Sequence, residues 1–196
     1  MADLYLASQS PRRRELLSQI GVKYQVLSVA VPEEQQAGES PEAYVQRLAC
    51  EKSQAGWLQL TSSTDDTPPG PVLGADTLIE VDGRVLEKPA NEADALSMMA
   101  ALSGRSHRVL SAVALTSTQG TRSRLSSTEV AFRKVSPDEA LRYWRTGEPV
   151  DKAGGYAIQG LGAIFVERLS GSYSGVVGLP LSETRELLEE YGVTVL

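Results

Sequence analysis

Apolar runs of strand length alternate with helical periodicities along the first half of the chain, and hairpin-like pairs of apolar runs dominate its centre. Leu4 to Ala7, Tyr24 to Val29, Val72 to Val81, Arg84 to Glu87, Arg108 to Thr116, Arg124 to Arg133, Gly162 to Arg168 and Ser174 to Val177 read as strands. Asp82-Gly83, between two of them, has the composition of a tight hairpin turn. Three Ser-Pro pairs, Ser10-Pro11, Ser40-Pro41 and Ser136-Pro137, each precede a helical pattern, with Ser placed as N-cap and Pro at the first helical position. The second pair predicts a helix from Pro41 toward Trp57 with Val45, Leu48, Ala49 and Lys52 on one face. Further helices are expected from Asn91 to Ser103, ended by Gly104, from Pro137 to near Gly147, and from about Ser182 to Tyr191 before Gly192. Thr61 to Pro71, rich in Ser, Thr, Asp and Pro, reads as a long loop. Strands that interleave with helices and then pair locally predict an α/β fold with a mixed sheet and flanking helices.

A length of 196 residues suits one α/β domain, expected to span residues 1–196, without internal repeat or low-complexity tract. The formal net charge of −6 argues against a protein that coats nucleic acid, which needs a basic face to displace counterions. Any basic patch is local, and its ligand is small. One cysteine, Cys50, allows no intrachain disulfide and no thiolate metal cage, which suits a reducing cytoplasm, and Cys50 itself reads as a small buried residue. Met1-Ala2-Asp3-Leu4 is not the charged start of a secretory leader, and no later run has the length to cross a bilayer. The expectation is a soluble cytoplasmic protein with no membrane partner.

Chemistry concentrates in a few places where structure alone would not put those residues. Ser8-Gln9-Ser10-Pro11-Arg12-Arg13-Arg14 loads hydroxyls and guanidinium groups into a strand-to-helix turn. A helix start attracts anions and disfavours cations, so three arginines there oppose local stability unless a polyphosphate joins them. The bland alternative is a solvated basic helix end. Asp76 interrupts the buried strand Val72 to Ile79 and needs a partner: a metal, a lysine or a water to be activated. The preceding Gly74-Ala75 is read as leaving room for a ligand at the backbone.

Lys52 falls on the apolar stripe of its helix, either with a partner there or snorkelling to solvent. Lys88 follows a strand end, where ligands of α/β sheets collect. Glu33 and Glu34 follow Pro32, and either can meet Asp76 across a metal. The segment Asp151 to Gly160 has the glycines of a chain wrapping closely around something, with one amide, Gln159, suited to a base edge; a glycine-rich structural loop is the alternative. His107, the single histidine, has no nearby His or Cys and reads as a strand or turn residue. There is no phosphate-loop motif, no nucleophile elbow and no His-Glu-x-x-His helix. Cations, carboxylates and hydroxyls remain, the ingredients of metal-assisted phosphate chemistry.

Taken in order, Ser8-x-Ser10-Pro11-Arg12-Arg13, Glu33, Arg47-Leu48-Ala49-x-x-Lys52, Gly74-Ala75-Asp76-Thr77, Glu87-Lys88-Pro89, Leu102-Ser103-Gly104-x-x-His107, Asp151-Lys152-Ala153-Gly154 and Val177-Gly178-Leu179-Pro180 resemble the Maf family of nucleoside triphosphate pyrophosphatases. The resemblance covers nearly the whole chain. It implies a twisted mixed sheet with helices forming two lobes around a cleft, similar to inosine triphosphate pyrophosphatase-like folds, a homodimer, and a divalent cation, Mg²⁺ or Mn²⁺.

By the same resemblance Asp76 is the proton acceptor and, with Glu33, a metal ligand, while Ser8, Ser10, Arg12, Arg13, Lys52 and Lys88 bind the triphosphate. Arg12, Thr77 and Gln159 match the specificity positions of the dTTP/UTP branch rather than those of the branch that hydrolyses 7-methyl-GTP. Departures are Gln9, where Gly is frequent, and Gly155 and Ala157 within the Asp-Lys-Ala-Gly segment. The implied reaction converts dTTP or UTP, or a modified pyrimidine nucleotide, to the monophosphate and pyrophosphate. A nucleotide-binding regulator of septum formation with little turnover is the alternative.

Overall fold

The computed structural model describes residues 4–63 and 70–195. Strand β1 (Leu4–Leu6) turns into helix α1 (Pro11–Gln19), followed by β2 (Tyr24–Val26), α2 (Pro41–Ser63), β3 (Val72–Val81), β4 (Arg84–Leu86) and α3 (Glu92–Leu102). Then come β5 (Ser106–Ser117), β6 (Gly120–Phe132), α4 (Pro137–Trp144), three short 3-10 turns, β7 (Val166–Ser170), α5 (Tyr173–Val177) and α6 (Leu181–Glu190). The described strands form one mixed sheet in the order β2-β1-β3-β5-β6-β7, with β4 folded onto β3. β1 runs parallel to β2 and β3, and the other pairings are antiparallel. The predicted hairpin turn lies at Asp82 (φ 54°) and Gly83 (φ 76°), the left-handed pair that matches the twist of its strands.

The pleat assigns alternate residues to two layers. Leu73, Ala75, Val113 and Leu115 pack with Leu16, Leu17, Leu187 and Leu188 of α1 and α6. Leu78, Leu110, Ala112 and Ala114 pack instead with Val45, Leu48 and Ala49, the predicted stripe of α2. At Gly74 the helix seats directly on the strand: an added Cβ would lie 2.4 Å from the Ala49 carbonyl and 2.5 Å from the Ser53 amide nitrogen. The room expected there for a ligand is therefore filled by α2.

One discontinuity in the sheet creates the cleft. β1 pairs with β3 at Val72 and Leu73, whereas β4 takes up the same edge from Ile79 onward. Residues 74–78 of β3 thus have β5 on one side and, among the described residues, no strand on the other.

Three expectations change. The predicted strand Gly162 to Arg168 is a 3-10 turn over Leu161–Phe165 that only then enters β7. Ser174 to Val177 is helical because the Ser172 hydroxyl caps the Gly175 amide at 3.0 Å, which outweighs the strand preference of Val176-Val177. The loop expected from Thr61 to Pro71 begins later, since α2 continues to Ser63; residues 64–69 of it lie outside the described residues. Cys50 is half-buried against the α2 layer. Among the described residues no helix is long and apolar enough to cross a membrane.

Candidate active site

The gap beside residues 74–78 opens into a cleft of about 570 Å³. Ser8, Ser10, Arg12 and Arg13 line it from the β1–α1 turn, Lys52 from α2, Asp76 and Thr77 from β3, Lys88 from beyond β4, with Glu33 and Gln159 from loops. Neighbours along a strand point to opposite faces, so an intact sheet would separate Asp76 from Thr77. At the gap both face one space: Asp76 meets α2, and Thr77 meets the layer of α5.

The arginine turn is partly self-organised. The Ser8 hydroxyl accepts from the Ser10 amide and from Arg13 Nη1, each at 3.2 Å, and Arg13 Nε donates to the Gly178 carbonyl at 2.9 Å. Burial pulls the Arg13 guanidinium down from its ordinary value while the Asp76 charge opposes this, and its intrinsic basicity keeps it cationic. Arg12 is held more loosely, with Nη1 3.9 Å from Asp151. The three Ser-Pro helix starts also differ. Ser40 caps the Ala43 amide at 3.2 Å and Ser136 forms a reciprocal capping box with Glu139, whereas the Ser10 side chain makes no capping bond. Only at the cleft are the first amides of the helix left without the hydroxyl that its sequence offers.

Lys52 resolves the question left open by its position. Its Nζ donates to Glu33 Oε1 at 2.5 Å and to Asp76 Oδ1 at 2.7 Å, and its side chain is only 12% exposed, as is that of Asp76. Burial acts to raise the Glu33 carboxyl, but the Lys52 hydrogen bond and the charges of Lys52, Lys88 and Arg13 outweigh it and hold Glu33 below the usual range. Lys88 Nζ stands 3.7 Å from the other Glu33 oxygen. Glu34, the sequence alternative, instead offers its carbonyl to Arg47 at 2.9 Å.

Several participants were not picked out from sequence. Tyr44 is buried on the cleft wall with its hydroxyl 3.4 Å from Glu87. Burial, and then the charges of Glu87, Asp76 and Glu33, push its phenol to about 12, so it remains a donor at neutral pH. Its signal was available: Tyr44, Leu48 and Lys52 repeat every four residues, one face of a helix.

The glycine-rich segment is held from behind. The Gly154 amide donates to the Glu87 carbonyl at 2.9 Å, and a Cβ at Gly154 (φ 65°) would lie 2.6 Å from Ile79. Tyr143 donates to Glu148 at 2.6 Å and accepts from the Ala157 amide at 3.1 Å, while Glu148 accepts from the Leu161 and Gly162 amides at 2.9 and 3.0 Å. Gln159 is thereby suspended between two anchored stretches. His107, as expected, is a strand residue, and its Nε2 lies 2.8 Å from the Tyr156 hydroxyl. Behind Thr77 sits buried Ser111, whose Oγ is 2.9 Å from Thr77 Oγ1 and donates to the Gly175 carbonyl at 2.6 Å.

Glu33 and Asp76 converge on a single cationic point, the Lys52 ammonium. Among the described residues no group of three or more His, Cys, Asp or Glu side chains is placed to hold a metal alone. Two hard carboxylates beside an arginine-lined cleft fit a cation such as Mg²⁺, which takes one or two carboxylates and completes its shell with water and phosphate oxygens; they do not fit a closed structural zinc site.

Residues 3–191 match the family model described as Maf-like protein. The chain is 57% identical to a dTTP/UTP pyrophosphatase of Saccharophagus degradans, over 99% of this chain and 91% of that protein. It is 50% identical to a dTTP/UTP pyrophosphatase of Photorhabdus laumondii, over 97% of this chain and 95% of that protein. Among solved structures it is distantly similar to a dITP/XTP pyrophosphatase from Mycobacterium abscessus, with a TM-score of 0.44, 18% identity, and coverage of 95% and 93% of the two chains.

Proposed function

Because the chain belongs to the Maf family, we propose that its cleft hydrolyses dTTP and UTP to the nucleoside monophosphate and pyrophosphate. The observation that carries this reading is the Glu33–Lys52–Asp76 cluster, set in the same cleft as Arg12, Arg13 and Lys88. The triphosphate lies against Arg12, Arg13, Lys52 and Lys88, the Ser8 and Ser10 hydroxyls and the first amides of α1. Most of that field is preorganised, since Ser8 and Gly178 hold Arg13 and two carboxylates hold Lys52. Asp76, oriented by the Lys52 bond to its Oδ1, accepts the proton of the water that attacks the α-phosphorus. Glu33 and Asp76 are the residues that would hold a divalent cation, Mg²⁺ or Mn²⁺, which when bound supplies charge neutralisation at the phosphate oxygens. Thr77 and Gln159 read the base, and Arg12 lies at the boundary between base and phosphates.

Replacing Asp76→Asn tests the assignment. Pyrophosphate release should fall roughly 10²- to 10⁴-fold while nucleotide binding, followed by calorimetry, persists. Wild-type turnover in this variant would remove Asp76 as the base. Product analysis separates the other classes: orthophosphate would mark a phosphatase, and binding without any product would mark a regulator.

A further inference from the structure

We propose that Ser111, buried behind the cleft, makes Thr77 an acceptor-only group and so selects bases that present a ring N–H, uracil and thymine, over cytosine. The inference rests on the reading that Thr77 contacts the base. It follows from counting protons. A hydroxyl has one hydrogen to donate, and a backbone carbonyl has none. Ser111 Oγ lies 2.6 Å from the Gly175 carbonyl oxygen, a separation that requires a hydrogen between the two oxygens, and Ser111 alone can provide it.

Ser111 therefore has no proton left for Thr77. The 2.9 Å contact between the two hydroxyls must run from Thr77 to Ser111. The other described partner of Thr77, the Gly178 carbonyl, is also an acceptor but at 3.4 Å lies beyond the usual O–H···O range, so Ser111 is the group that holds the Thr77 proton away from the cleft. What Thr77 offers the cleft is a lone pair. Uracil and thymine carry a donor at N3, whereas cytosine carries a lone pair there. A fixed acceptor meets the first and opposes the second, and a site of this kind rejects an analogue that leaves its polar group unpaired.

The relay is protected from competition by water. Ser111 is 1% exposed, and the helix that presents the Gly175 carbonyl, α5, is tied down by the Ser172 cap on the Gly175 amide at 3.0 Å. Ser111 is thus a positioning residue. It need not touch the nucleotide to set what Thr77 can accept.

The test measures kcat and KM for UTP, CTP and 3-methyl-UTP, whose N3 lacks the hydrogen, with wild type, Ser111→Ala, Thr77→Val and the double variant. Wild type should prefer UTP to both analogues, and each single substitution should reduce the UTP:CTP ratio of kcat/KM by roughly tenfold, mainly through KM. The double variant should lose no more than either single one, because both remove the same relay; a role for Ser111 that does not run through Thr77 would give independent, multiplying losses. An unchanged ratio in Ser111→Ala, with UTP preference intact in wild type, overturns the relay alone. A wild type that does not distinguish UTP from CTP overturns both the relay and the base reading beneath it. If Ser111→Ala does not fold, the wild-type comparison still decides: 3-methyl-UTP hydrolysed as well as UTP refutes an acceptor-only Thr77.

Discussion

Acidification should weaken this fold through one side chain that is not in the cleft. His107 is 3% exposed, packs edge-on against Phe132 and Tyr156, and has a buried Nδ1 with no hydrogen-bond partner among the described residues. Burial lowers its pKa from 6.5 to about 4. The unfolded chain therefore binds a proton near pH 6.5 that the folded chain refuses until about pH 4. Above pH 6.5 both states are neutral at this residue and it adds no pH dependence. Between the two values stability falls by up to about 1.4 kcal/mol per pH unit, and at about 1.4 kcal/mol for each pH unit of the gap the total loss is about 3 kcal/mol. Below about pH 4 the slope from this residue vanishes. Urea unfolding of wild type and His107→Gln, from pH 8 to 4, isolates the effect, because the acidic groups contribute alike to both and cancel in the difference. The variant starts less stable, having altered the Tyr156 contact, but its curve should descend less steeply through this window. Parallel curves would refute the claim that His107 is held neutral by burial.

Gly74→Ala should destabilise by about 3 kcal/mol or more and reduce turnover together, since its methyl would strike the α2 backbone that carries Lys52; thermal melts and pyrophosphate release follow the two effects. Lys52→Met should lower turnover at least roughly 10²-fold. It should also cost about 2 kcal/mol at neutral pH, less than for a fully buried pair because Glu33 is half-exposed, and the Glu33 part of that cost should shrink as pH falls through the lowered Glu33 titration. Ser136→Ala should cost about 1 kcal/mol by removing the α4 capping box, with the UTP:CTP ratio unchanged in the same kinetic assay.

Legibility in the sequence varied with the range of the interaction concerned. The bounds of β3 are legible because Asp82-Gly83 ends it locally and apolar residues stand on both its faces around Asp76, Thr77 and Glu80. The α5 segment carries a strand preference in Val176-Val177, while the bond that makes it helical comes from Ser172, outside the apolar run. In the site, Asp76 is visible as a charge in apolar company that requires a partner, and Lys52 as a charge on an apolar stripe with snorkelling as the alternative; that they are each other's partner is not. Ser111, Tyr143 and Glu148 left no such mark. A serine in a strand and a tyrosine and glutamate near a helix end are ordinary locally, and only long-range hydrogen bonds give them roles.

By itself the sequence determined the alternation of strands and helices, the three Ser-Pro helix starts and the inventory of arginines, lysines and carboxylates, because propensity, capping and charge act over a few residues. The tertiary structure decided that β1 stops at Leu73 and β4 begins at Ile79, leaving a gap where Asp76 and Thr77 reach the same cleft from opposite faces of one strand. It also decided the direction of the proton between Thr77 and Ser111, which depends on a carbonyl 64 positions away in the chain. Strand register and hydroxyl direction are set by which surfaces meet, and that information lies in no local window of the chain.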